Sequence, residues 1–327
     1  MSASFLIFAN SICPDTISVT SAMNISKNTV FILLAFFSIY VIWGSTYLLN
    51  KIAVSELPPF FLASNRFITA GILIFIIVKL MGKSLAITKR QLVNTTIAGF
   101  LFLTIGNGVV VWALKYVDSG FAALEISAQP LVVLILMRVF QGKKIKMMSM
   151  LGVILGIIGI FLLVSQNQIV SQEGSIAGMI MIFFCMISWA SGSLFVGKAD
   201  LPRNYFVNTG YQMIIGGLMM LIASFFLGET WSLPHVWSEK VQWSMLLLVV
   251  FGSVVAFTSF NFLLKKVSPD KVATSTYVNP IIAMLLGWYF LNEQITTQSI
   301  VAAVILLTGV YFINTKRKLV LFARFRK

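Results

Sequence analysis

Apolar residues run almost unbroken along this chain in blocks of about twenty, separated by short segments that hold most of the lysines, prolines and asparagines. A helix rises about 1.5 Å per residue and a bilayer's hydrocarbon core is about 30 Å thick, so a spanning helix needs about 20 such residues. Ten windows qualify: 29–50, 59–81, 92–114, 120–140, 147–165, 175–198, 205–228, 242–264, 270–291 and 297–315. Strands of a membrane barrel would be shorter and would alternate polar with apolar. These runs are continuous, so the sequence predicts an all-α integral membrane protein of ten transmembrane helices.

Composition agrees. Of 327 residues 58% are hydrophobic and 10% charged, against about 25% charged in a soluble domain. Too little polar surface remains to coat a water-soluble particle, which excludes a soluble enzyme and a disordered chain. Cys13 falls in the amino-terminal tail and Cys185 in an apolar run, a poor setting for a structural disulfide.

Net charge is +14, but the basic residues form no nucleic-acid patch. With the amino terminus in the cytoplasm and alternate loops assigned inward, 20 of the 24 Lys and Arg fall inside. Only Lys51, Lys115 and Lys240 fall outside, and Arg66 lies within a helix. Such a bias predicts a multi-pass protein of the inner or plasma membrane with both termini cytoplasmic. Residues 1–28 read as a cytoplasmic tail whose start is open to question, since Met23 precedes the first helix; 316–327 read as a basic tail at the inner leaflet.

The chain repeats itself. V-D-S-G-F-A-A-L-E-I-S-A-Q-P from Val117 matches V-S-P-D-K-V-A-T-S-T-Y-V-N-P from Val267, placing Gln129 over Asn279 and Pro130 over Pro280 at a shift of 150. Trp43 pairs with Trp189, and Leu57-Pro58 with Leu201-Pro202. Residues 29–165 and 175–315 thus form two five-helix halves. Because five is odd, the second enters the membrane in the opposite sense, giving inverted repeats with a midplane site between them, an arrangement common in secondary transporters.

W-G-S-T-Y from Trp43, L-P-P-F-F-L-A-S-N-R-F from Leu57 and S-G-F-A-A-L from Ser119 with its downstream proline resemble the drug/metabolite transporter superfamily, in its EamA-like branch. The resemblance runs from about Asn28 to Lys318. It implies export or exchange of small metabolites, amino acids among them, through a central cavity.

Two ionisable residues lie deep in the apolar windows. Arg66 stands seven residues into the second helix, about 10 Å, and Glu125 five into the fourth, about 8 Å. A charge near the bilayer centre costs at least roughly 3 kcal/mol and needs a partner or a cavity. They can form a structural ion pair. Alternatively they line the cavity, Arg66 binding a substrate carboxylate through its planar fork and Glu125 an ammonium group or a transported proton. The resemblance supports Arg66 through its R-F motif; a glutamate at 125 departs from the family's pattern. The first helix carries no acidic residue, so the membrane-glutamate logic of the superfamily's small multidrug exporters does not carry over there.

Trp43, Tyr47, Asn107, Trp189 and Tyr277 add aromatic and amide candidates, with Gln129 and Asn279 beside prolines that free a backbone carbonyl one turn earlier. Interface aromatics and helix-gluing amides are the plainer reading of any one of them. Gly152, Gly156, Gly159 and Gly309 read as a helix-packing face rather than a site. No cofactor or metal is implied: His235 stands beside only Glu229 and Glu239, and Gly82-Lys83-Ser84 lacks the upstream glycine of a phosphate loop. A gradient or exchange must then supply the energy. The expected partners are a small-molecule substrate, membrane lipid and, through Glu125, protons. Competing readings are an uncoupled facilitator or exchanger and, from another class, a membrane enzyme or lipid-handling protein.

Overall fold

The computed structural model describes residues 27–142, 145, 147–166, 173–267, 272 and 275–314; Cys13, Met23 and the basic tail from Lys316 lie outside them. The described residues form helices and connecting turns, without strands. Eight helices are long and apolar enough to cross a membrane: α1 Thr29–Val54, α2 Pro59–Leu80, α3 Lys89–Ala113, α4 Ser119–Gln141, α5 Met147–Val164, α6 Ser175–Val196, α7 Tyr205–Phe226 and α8 Glu239–Leu264. Two shorter apolar helices follow, α9 Ser275–Leu291 and α10 Thr297–Ile313. Ala35–Lys327 makes one unit and Met1–Leu34 another.

Where a helix outruns its apolar window, a cap explains it. α3 begins three residues early because Thr88 and Gln91 form a capping box, and α8 begins three early behind the Ser238 hydroxyl. Each cap satisfies backbone N–H groups that the first turn leaves unpaired. Thr88 and Ser238 are themselves 150 residues apart, the spacing of the repeat. α1 carries Lys51 near its end because the ammonium group donates to the carbonyls of Leu114 at 2.8 Å and Val117 at 2.7 Å.

Two pairs of equivalent helices, α2–α7 and α5–α10, pack antiparallel. At one end of the α2–α7 pair the Glu229 carboxylate accepts from the first turn of α2; at the other, Tyr211 donates to Leu85 O. In the α5–α10 pair Ser149 reaches Ile313 O and Gln298 reaches Leu162 O, again opposite ends. Glycine lets these helices approach closely. A Cβ placed on Gly309 would lie 2.8 Å from the carbonyl oxygen of Gly152. Lipid tails supply no hydrophobic drive between apolar helices, so such close packing carries the association. Large apolar side chains point outward instead: Val139, Phe161, Phe225 and Tyr289 are 66–71% exposed.

Among the described residues, helical winding changes in three places. Ser38–Ile42 in α1, Phe100–Gly108 in α3 and Leu248–Val255 in α8 are π-helical, and α3 and α8 are equivalents under the repeat. α4 is interrupted by a turn at Ser127 and Ala128, where Pro130 enters the first turn of its second segment, Gln129–Gln141. Pro280 sits inside α9 with no comparable break.

Candidate functional site

The π-helical turns leave backbone carbonyls outside the usual ladder, and side chains from other helices take them up. Trp43 donates its indole N–H to Gly252 O at 3.3 Å. Ser188 donates to Leu101 O at 2.8 Å and the Cys185 thiol to Ile105 O at 3.4 Å. The Asn279 amide faces the carbonyls of Ile39 and Tyr40 at 2.9 and 2.8 Å, so its nitrogen belongs on that side. Gln129 donates to Met186 O at 3.0 Å. Met186 lies 146 residues beyond Tyr40, the offset that pairs Trp189 with Trp43. The two proline-linked amides therefore make equivalent bonds, each from the fourth helix of one half to the first helix of the other.

Around these contacts lies an aromatic cluster. Trp43 and Trp189 meet edge to face at 6.1 Å, with Phe260 5.1 Å from Trp43 and 6.0 Å from Trp189. Phe102 closes on Trp189 at 4.9 Å, and Phe257 stacks on Phe260. The two tryptophans are thus brought together across the seam between the halves. Tyr277 packs against the apolar group of Ala128, Val132, Met186 and Ala190.

Arg66 is 2% exposed. Its Nε donates to Ser253 Oγ at 2.8 Å and its Nη1 to Asn50 Oδ1 at 3.3 Å. The guanidinium also lies 4.7 Å from the centre of the Phe67 ring. Among the described residues it has no carboxylate within ion-pair distance. The structural ion pair with Glu125 is therefore not what the fold builds. Glu125, 4% exposed, lies in the last turn of the first segment of α4 with one carboxyl oxygen unpartnered. The Asn107 side-chain oxygen is likewise buried and unpartnered.

A further polar group, which sequence reasoning passed over, joins α7 to α8. Gln212 donates to Asn208 at 3.1 Å, Asn208 to Asn261 at 3.4 Å and Asn261 to Thr209 at 2.8 Å. Gln212 Oε1 and Thr258 Oγ1 remain unpartnered. Gln212 is the eighth residue of α7, as Arg66 is the eighth of α2. The signal was present as amides one turn apart, at 208 and 212, inside an apolar window; attention to charges and prolines missed it.

Outside the spans, burial raises the Asp118 carboxyl above its ordinary range; Glu293 adds to the rise and Lys51 opposes it. The Glu56 carboxyl is held below its ordinary range by hydrogen bonds from Ser238.

Apolar helices in two five-helix halves make this a multi-pass membrane protein. The model of the EamA-like transporter family matches residues 30–165 and again 176–315, and the chain belongs to that family. It is 34% identical over 290 residues to YedA of Escherichia coli, described as an uncharacterized inner membrane transporter, covering 86% of this chain and 92% of that one. An uncharacterized transporter of Bacillus subtilis, YoaV, is 22% identical over 284 residues, covering 87% of this chain and 96% of its own. One crystal structure superposes with a TM-score of 0.63 at 16% identity, over 91% of this chain and 99% of that one, a likeness of fold.

Proposed function

We propose that the chain is a secondary transporter of the inner membrane that exports small organic metabolites, amino acids in particular. Two inverted halves alternate access to a midplane cavity, and both termini are cytoplasmic. The observation that carries this reading is the buried guanidinium of Arg66, held by the neutral groups of Ser253 and Asn50. Neutral partners orient the planar fork without cancelling its charge, which stays available to an incoming carboxylate. Glu125, with an unanswered oxygen, supplies the complementary site for an ammonium group or a transported proton. Trp43, Trp189 and Tyr47 would face an apolar side chain, with Asn107, Gln129, Tyr277 and Asn279 as outer members of the lining. The inner-membrane assignment draws on the description of YedA and on the placement of Lys and Arg.

Binding is found first by thermal shift of the purified protein against amino acids, polyamines, sugars and lipophilic cations, since a ligand stabilises the state that binds it. Counterflow of the best ligand is then measured in proteoliposomes. Arg66→Ala abolishes saturable flux while the protein remains monodisperse, and Arg66→Lys, which keeps charge but loses the fork, falls between. Wild-type flux from Arg66→Ala would defeat the carboxylate role. Flux that ignores a pH gradient, with Glu125→Gln transporting normally, would leave an uncoupled exchanger.

A further inference from the structure

At one end of the helix bundle three glutamates reach across the seam, each onto the amino-terminal end of a helix in the other half. Glu229, after α7, accepts from the backbone N–H groups of Phe60 at 3.1 Å and Phe61 at 2.7 Å, which open α2. Glu293, after α9, accepts from Ser119 N at 2.7 Å, Ser119 Oγ at 3.0 Å and Gly120 N at 3.0 Å, which open α4. Glu56, after α1, accepts from Ser238 N at 3.1 Å and Ser238 Oγ at 2.5 Å, the cap of α8. Each carboxylate meets unpaired N–H donors at the positive end of a helix, where a negative charge is favoured. Around the Glu229 contact Trp231 stacks on Phe61 and Trp237 meets it edge-on.

The other end of the bundle is joined differently. Thr88 and Asn204 cap α3 and α7 from their own chain neighbours. Contacts that cross there include the amide of Gln91 donating to the Asp200 carboxylate at 3.3 Å, the amide of Asn94 donating to the Asp200 backbone carbonyl at 2.9 Å, and the Tyr211 hydroxyl donating to Leu85 O. Leu57-Pro58 and Leu201-Pro202 make Glu56 and Asp200 equivalents, yet Asp200 accepts side-chain amide hydrogens where Glu56 accepts from a helix terminus. Carboxylates on helix ends thus fasten the face that carries Glu56, Glu229 and Glu293.

We infer that Glu56, Glu229 and Glu293 form the gate on that face: positioning residues whose release from α8, α2 and α4 opens the seam between the halves. The inference rests on the alternating-access reading above. The part-buried contacts of Glu229 and Glu293 suit this task, because a carboxylate on helix N–H groups is strong while sheltered and is readily exchanged for water once the halves part, whereas the exposed Glu56 pair contributes less.

Cys185 provides a native reporter. It is 2% exposed and lies ten residues, about 15 Å of helix, below the start of α6 at the latched face. Cys13→Ser leaves it as the sole thiol of the chain. The full-length protein in sealed vesicles of each orientation is treated with trimethylammonium-ethyl methanethiosulfonate, which does not cross lipid. Glu229→Gln with Glu293→Gln is expected to label Cys185 roughly tenfold faster or more from the latched face, each charge-assisted bond being worth about a decade in an opening equilibrium. From the opposite face the rate stays unchanged or falls. Glu239→Gln removes an exposed carboxylate on the same face and leaves both rates as they were. The paired Glu→Asp variants keep the charge on a shorter arm and give an intermediate rate, and they stand in if the Gln pair does not reach the membrane. Unaltered labelling in the Gln or Asp pair, or equal acceleration from both faces, overturns the gate. Failure of alternating access would read differently, as a wild-type Cys185 labelled equally fast from both faces.

Discussion

Alanine at two glycines of α5 tests the packing of α5 on α10. An ideal Cβ on Gly152 falls 2.5 Å from Gly309 O, 2.8 Å from Ile313 N and 2.8 Å from Ile313 Cγ1; two of the three are backbone atoms that cannot swing aside. An ideal Cβ on Gly156, one turn along, has a nearest neighbour of Leu131 Cδ2 at 3.4 Å, an ordinary contact with a mobile side chain. Gly152→Ala must therefore push the helices apart by most of an ångström, and a gap of 0.5–1 Å forfeits roughly a quarter to a half of each affected contact. Overpacking of this kind costs about 1–3 kcal/mol. Both alanines recover about 1 kcal/mol of helix propensity, so that gain cancels in the comparison. Gly152→Ala should be less stable than Gly156→Ala by about 1–3 kcal/mol, measured by equilibrium unfolding in mixed micelles. Equal stabilities, or a more stable Gly152→Ala, would refute a backbone-limited contact between the two helices.

Three more outcomes follow from contacts outside that pair. Asp118 binds its proton more tightly when folded, so its contribution to stability falls as pH rises above the ordinary carboxylate range; Asp118→Asn should raise or preserve the melting temperature at neutral pH, and a clear drop would contradict the desolvation account. Glu56 has the opposite sign: its stabilisation is present above the ordinary carboxylate pKa and is lost as acid protonates it. Ser238→Ala should remove that part of the acid sensitivity, with a small effect because the pair is exposed, and melting curves across pH 3 to 6 check it. Gln129→Leu and Asn279→Leu should each destabilise by about 0.6–1.7 kcal/mol, the range for hydrogen bonds between membrane helices, and neutral unfolding free energies for both would remove the equivalence drawn between them.

The ten spans could be read in the sequence because twenty-residue apolar runs have few other uses, and the repeat because Pro130, Trp43 and their mates survive at fixed offsets. Helix starts were misjudged by three residues at α3 and α8, since a hydropathy window does not weigh a polar first turn held by Thr88 or Ser238. The π-helical turns left no mark in the pattern: Phe100–Gly108 is as apolar as any α-helical stretch, and winding depends on what other helices offer its carbonyls. Arg66 was found by its cost in lipid. Its partner Ser253, 187 residues away, could not be, because a serine inside an apolar helix satisfies its own hydroxyl as readily as it serves a neighbour. The glutamates at 56, 229 and 293 looked like ordinary loop charges, and only the antiparallel pairing of the halves sets them on helix ends.

The reciprocal amides have a bearing on biosynthesis. Gln129 is made before the helix that holds its acceptor, Met186, while Tyr40 waits for Asn279 until nearly the whole chain has been synthesised. A ribosome that has released only α1 to α5 has produced a half whose fourth helix lacks its cross-seam bond and whose first helix displays bare carbonyls. Folding of such a half is completed by the arrival of its counterpart, so the two insert in sequence but mature together.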